Sequence, residues 1–146
     1  MKKKIGLAAL VVILLLCVWN NFYKLDKAEA AEYATENALS KSHCCCAWFV
    51  MRALQQGGCP IGIYPAWAYK YVLPLHRFDK IDKSNYVPQK GDVVVIENSK
   101  EHFWGHIAIY NGRQWVSDFK QKSINPYRKS YPYEIFRFNP NRSFRF

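Results

Sequence analysis

Three consecutive cysteines, Cys44, Cys45 and Cys46, open a run with helical periodicity, and a histidine, His106, opens the apolar run Ile107, Ala108, Ile109, Tyr110. A thiol and an imidazole that meet in a fold can carry out nucleophilic acyl transfer. The sulfur attacks a carbonyl carbon, and the imidazole takes the thiol proton and hands it to the leaving group. Helix phase selects among the three cysteines, because successive helical residues point about 100° apart. Cys46 shares the i, i+3, i+4, i+7, i+8 stripe with Phe49, Val50, Ala53 and Leu54. Cys45 falls in phase with Trp48 and Arg52, and Cys44 with Ala47, Trp48 and Met51. A thiol in the first turn of a helix also feels unpaired N–H groups and the positive end of the macrodipole, which favour thiolate. An isolated cysteine in an apolar stripe is more often a small hydrophobe, so Cys46 stands out by its company.

His106 is the expected general base, since a polar ring at the head of an apolar strand needs an explanation. His102 lies in a polar loop, His76 in another, and His43 is too near the cysteines to be oriented independently. A catalytic imidazole also needs a third group to fix its tautomer, and Ser117 and Asp118 are the candidates. A two-residue loop at Asn111-Gly112 pairs His106 with Ser117, whereas a three-residue loop with Gly112 left-handed brings Asp118 to the face of His106. Asp118 is preferred because a carboxylate stabilises imidazolium better than a hydroxyl does; the register stays open.

The elements that must position these groups divide into a helical front and a stranded back. Residues 31–39 are rich in helix formers, and a second helix is expected over about 44–56, with Ser42 as N-cap and Gly57-Gly58 as the stop. The aromatic stretch 64–75 reads as a short helix flanked by loops. Pro88-Gln89-Lys90-Gly91 is a turn into a buried strand over 92–97. Residues 106–110 and 113–119 read as a hairpin, and Tyr133 to Phe138 as a last strand. The fold class is therefore α+β, with N-terminal helices packed on a small antiparallel sheet.

A chain of 146 residues, half of them apolar, is enough for one domain. Lys2, Lys3 and Lys4 followed by the apolar run from Ile5 to Trp19 form the pattern of an export signal. Ala28-Glu29-Ala30 supplies small residues for cleavage before Ala31, dividing the chain into a signal over 1–30 and a domain over 31–146. The alternative is a membrane anchor retained over residues 5–19. Lipid attachment at Cys17 is disfavoured by the bulky Leu16 before it. The net charge of +10 favours polyanionic partners, and export argues against nucleic acid. In an oxidising compartment Cys59 could pair with Cys44 or Cys45. The cysteine triplet is not a metal site, because its thiols diverge and separated ligand pairs are missing; no cofactor is expected.

Cys46-Ala47-Trp48-Phe49-Val50 resembles the nucleophile motif of CHAP domains, the cysteine, histidine-dependent amidohydrolases/peptidases. Gly91-Asp92-Val93-Val94-Val95 resembles the Gly-Asp strand that this family shares with NlpC-type peptidases, and Gly105-His106-Ile107-Ala108-Ile109 its histidine strand. The three motifs span the central half of the chain. The resemblance implies a papain-like fold and a peptidoglycan endopeptidase or N-acetylmuramoyl-L-alanine amidase working through a thioester. The similarity extends to secreted antibacterial amidase effectors. It implies Asp118 as third residue and peptidoglycan as substrate; the export signal makes the expected location periplasmic or secreted, and whether a proteinaceous inhibitor is a further partner stays open. Two features depart from the pattern: Cys45 stands where the family often has Gln, and Ser117-Asp118 replaces the usual Glu or Asn. The competing readings are a non-catalytic wall-binding module and a papain-like acyltransferase. Trp48, Trp67, Trp104 and Trp115 are candidates to line a groove, and residues 139–146 read as a frayed basic terminus.

Overall fold

A computed structural model describes residues 6–142. Its centre is a five-stranded antiparallel sheet in the order β1-β5-β2-β3-β4, formed by β1 (Phe78–Ile81), β2 (Val93–Ile96), β3 (His106–Tyr110), β4 (Trp115–Val116) and β5 (Tyr133–Phe138). The run of β-branched residues in β2 is buried on both faces. Val93 and Val95 join Ile107 and Ile109 of β3 on one face, while Val94 and Ile96 join Ala108, Trp115 and Ile135 on the other. The first face is covered by α2 (Lys27–Asn37) and α3 (Cys46–Gln56), through Ala30, Ala34, Val50, Ala53 and Leu54. The second is covered by a non-regular strap, residues 117–131, that lays Ile124, Tyr127 and Tyr131 against it. Helices on one face and a strap on the other make the α+β architecture read from the sequence.

Asp26 caps α2, accepting from the backbone N–H of Ala28 and Glu29 at 3.0 Å each. Small residues let α2 approach the end of α3 so closely that a Cβ on Gly57 would stand 2.6 Å from the Asp26 carbonyl. The expected domain boundary before Ala31 therefore falls inside α2, between two buried alanines. Tyr23 and Leu25 are also core residues, and the buried Arg77 guanidinium donates to the Tyr23 carbonyl at 2.7 Å. Core burial thus reaches upstream of Ala31, to Tyr23. Before it, α1 (Leu7–Phe22) leaves Leu7, Leu14, Leu15 and Leu16 exposed. No helix among the described residues is long and apolar enough to cross a membrane.

Several local expectations change. The hairpin register pairs Tyr110 with Trp115, so the β3–β4 loop has four residues, and both shorter loops are overturned. The Asn111 side chain closes it by accepting from the N–H of Arg113 and Gln114 at 2.9 and 2.8 Å. The strand expected over 113–119 shrinks to β4, and β1 was not foreseen. The stretch 64–75 becomes two 3-10 turns around a four-residue helix, α4 (Tyr69–Val72). Cys44, Cys45, Cys46 and Cys59 are free thiols; Cys59 is buried against the Tyr23 hydroxyl at 3.5 Å, not paired with the exposed cysteines.

Candidate active site

Cys46 is the first residue of α3, and its neighbour Cys45 occupies the N-cap position without a side-chain cap bond. Ser42 does not cap, contrary to the sequence reading. Its hydroxyl instead accepts from the Cys44 N–H at 3.3 Å and donates to Asp118 at 3.3 Å. Asp118 is fully buried and organises this whole lead-in. Its Oδ2 accepts from the N–H of His43 at 2.6 Å and of Cys45 at 3.2 Å, while Oδ1 accepts from the Ser117 hydroxyl at 3.2 Å. Cys44 adopts a left-handed conformation, φ 59, which turns the chain into the helix. The Cys45 thiol donates back to the His43 carbonyl at 3.2 Å.

The Cys46 sulfur lies in the interior, with the N–H of Ile107 and of Ala47 aimed at it. Burial pushes its thiol up to about 11, outweighing those two N–H groups, and the Asp118 carboxylate adds to the rise. The raised value favours the neutral thiol at Cys46, although a helix N-terminus alone would favour thiolate. The first residue of β3, adjacent to Ile107, is His106, buried with 4% exposure.

His106 Nε2 lies 2.7 Å from Oε1 of Gln121. The Gln121 amide is oriented by a second bond, Nε2 donating to the Ser123 carbonyl at 3.2 Å. That leaves Oε1, an acceptor only, facing the imidazole, so Nε2 of His106 carries the proton and Nδ1 is the basic nitrogen. Burial pushes the His106 imidazole below its ordinary range, against the Gln121 bond and the Asp118 carboxylate, which push it up. Gln121 reaches the ring because the chain doubles back after β4. Ser117 N–H donates to the Phe119 carbonyl at 3.0 Å, Val116 bridges Lys120, and Gln121 N–H donates to the Trp115 carbonyl at 2.9 Å.

The CHAP domain family model matches residues 35–119, more than half of the chain. The chain belongs to the CHAP family. A chain in the crystal structure of the native type VI effector-immunity complex Tae3-Tai3 from Ralstonia pickettii is similar to it. That chain is 33% identical, with a TM-score of 0.70 over 80% of this chain and 100% of the other. The selenomethionine form of the same complex matches at 33% identity and a TM-score of 0.68, over 74% of this chain and 98% of the other. No curated protein matches the chain.

Of the residues singled out in sequence, this CHAP domain gathers Cys46, His106 and Asp118 around the junction of α3 and β3. Asp118 sits beneath the lead-in to α3, and the hydrogen-bond partner of His106 is Gln121. Two residues escaped sequence reasoning, Gln121 and Tyr127, whose ring meets His106 edge-on with centroids 5.8 Å apart. Both lie beyond the matched span, on a strap with no periodicity. His102 is also more engaged than a polar loop suggested, stacked on Tyr127 at 3.7 Å. Among the tryptophans, Trp48 and Trp104 are exposed, while Trp115 belongs to the core. Arg142 of the basic terminus is tied to Asp79 at 2.8 Å; residues 143–146 lie outside the described residues. No group of three His, Cys, Asp or Glu among the described residues could hold a metal ion.

Proposed function

We propose that this CHAP domain is a cysteine amidohydrolase that cuts the peptide part of peptidoglycan, as endopeptidase or N-acetylmuramoyl-L-alanine amidase. The observation that carries the reading is the oriented imidazole. Gln121 fixes the proton on Nε2 and so makes Nδ1 the base, at the strand position next to the Ile107 N–H that faces the Cys46 sulfur. Because both partners rest neutral, Nδ1 removes the thiol proton as the sulfur attacks the amide carbonyl. The tetrahedral oxyanion forms beside the Cys46 N–H at the head of α3, the imidazolium gives its proton to the leaving amine, and a thioester remains. Water, deprotonated by the same Nδ1, then releases the acid and the thiol. Asp118 acts by holding residues 42–45 so that α3 begins at the sulfur.

Similarity to a chain of a complex named for an effector and its immunity protein supports an exported enzyme that acts on periplasmic wall and meets a proteinaceous inhibitor. The basic, apolar N-terminal segment supports a leader whose end falls before Tyr23, since a cut before Ala31 would remove core residues and the cap of α2. Digestion of purified peptidoglycan by the protein tests the reading. Muropeptides that gain one water at a stem-peptide amide are expected. Products joined to an added amine in place of water would show an acyltransferase, and unchanged muropeptides a binding module.

A further inference from the structure

An acyl-transfer site needs more than one donor for its oxyanion, and the residue before the nucleophile is engaged elsewhere here. The Cys45 N–H donates to Asp118 and its thiol to the His43 carbonyl. The strap supplies another group. Tyr127 stands edge-on to His106 and is clamped from behind by the stacked ring of His102 and the edge of Tyr131, at centroid distances of 3.7 and 5.6 Å. Its backbone is fixed as well, N–H donating to Asn125 Oδ1 at 3.0 Å. Its ring lies against His106, the neighbour of Ile107 whose N–H faces the Cys46 sulfur, and after burial the Cys46 and Cys44 thiols act on its hydroxyl. That hydroxyl has no hydrogen bond to any described residue, yet it is not sealed in the interior. A half-buried, rigid, unpartnered O–H beside a nucleophile is a donor waiting for an acceptor.

Resting on the hydrolase reading above, we propose that the Tyr127 hydroxyl is a catalytic residue that donates a hydrogen bond to the oxyanion, together with the Cys46 N–H. As the Cys46 sulfur bonds to the carbonyl carbon, the π pair moves onto oxygen, and the Tyr127 O–H and Cys46 N–H hold the resulting charge. On collapse the pair returns, the carbon–nitrogen bond breaks, and the amine takes its proton from His106; Tyr127 gives up no proton. Burial pushes the phenol up to about 12, with the Cys46 thiol contributing, so it remains a donor throughout the working range.

The test compares two reagents on Cys46 in the purified protein, wild type against Tyr127→Phe, which keeps the ring stack and removes only the hydroxyl. p-Nitrophenyl acetate acylates the sulfur through a tetrahedral oxyanion, whereas iodoacetamide alkylates it by displacement of iodide with no oxyanion. Label on Cys46 is located by peptide mass spectrometry. Acetylation of Cys46 should slow about a hundredfold in Tyr127→Phe, with alkylation unchanged. Acetylation at the wild-type rate, or a parallel fall in both reactions, would overturn the assignment. A wild-type protein whose Cys46 accepts no acetyl group would overturn the nucleophile itself and this role with it, an outcome separable from the others because it appears without any substitution.

Discussion

The head of α3 and the strap over residues 117–131 meet through Asp118 but are held by different physics. Cys46 is placed by packing. Val50, Met51, Ala53 and Leu54 are buried along the same helix, and each large apolar side chain among them contributes about 1.5–3 kcal/mol by its burial. The strap lays Ile124, Tyr127 and Tyr131 on the sheet, but the side chain of Gln121 within it is placed by a chain of polar contacts. Gln121 Nε2 donates to the Ser123 carbonyl, Ser123 Oγ to the Asn125 carbonyl at 2.6 Å, and Asn125 Nδ2 to the Lys129 carbonyl at 2.9 Å. A bond of that kind is worth only about 1 kcal/mol net, so the strap can change its chemistry one residue at a time while the helix keeps its phase. Asp118 joins the two, a strap carboxylate that fixes the backbone from which α3 starts.

If the strap orients the base and the helix only delivers the sulfur, substitutions on the two sides should separate. The largest effect on the strap-facing side is expected for His106→Ala, a loss of turnover up to about 10⁴-fold, with the far-UV spectrum and melting temperature close to wild type. Next, Gln121→Leu removes the acceptor that sets the tautomer. It should lower kcat about ten- to a hundredfold, the worth of one hydrogen bond to a charged ring, with KM little changed. A fall in KM affinity alone would assign Gln121 to substrate instead. Asp118→Ala should reverse the pattern by costing stability first. The N–H groups of His43 and Cys45 lose their acceptor, and urea unfolding should show a loss of about 1–3 kcal/mol. Full stability with abolished turnover would return Asp118 to the imidazole as its partner.

A smaller effect lies in pH. Burial lowers the His106 pKa, so the ring stays neutral and basic further into acid than a free imidazole. Activity is present above the folded value and lost only as pH falls through it. The acidic limb of kcat/KM should therefore lie below about 6.5, the ordinary histidine value; a limb at or above it would mean that the base is charged at rest.

Much of the helix side was legible beforehand, and little of the strap. The phase of α3 from Cys46 to Leu54, the buried strand β2, the start of β3 at His106 and the full extent of β5 all follow from repeating apolar patterns, which report burial directly. The strand β1 escaped because Phe78, Asp79, Lys80 and Ile81 alternate too briefly to stand out. The hairpin register escaped because the Asn111 side chain, not the loop length favoured by Asn-Gly, decides the turn. Gln121 escaped because its reach to His106 depends on the reversal at Ser117 to Phe119, a set of backbone bonds with no periodic trace. Small residues serve two purposes around Ala31: Ala28-Glu29-Ala30 resembles a cleavage site, and Ala30 is also a buried residue of α2.

The central claim is that the sulfur of Cys46, alone among three adjacent cysteines, performs the attack. Digestion of purified peptidoglycan by wild type, Cys44→Ala, Cys45→Ala and Cys46→Ala under reducing conditions, read as muropeptide masses, tests it most directly. Hydrolysis should survive the first two substitutions and vanish with the third; full cleavage by Cys46→Ala would contradict the account.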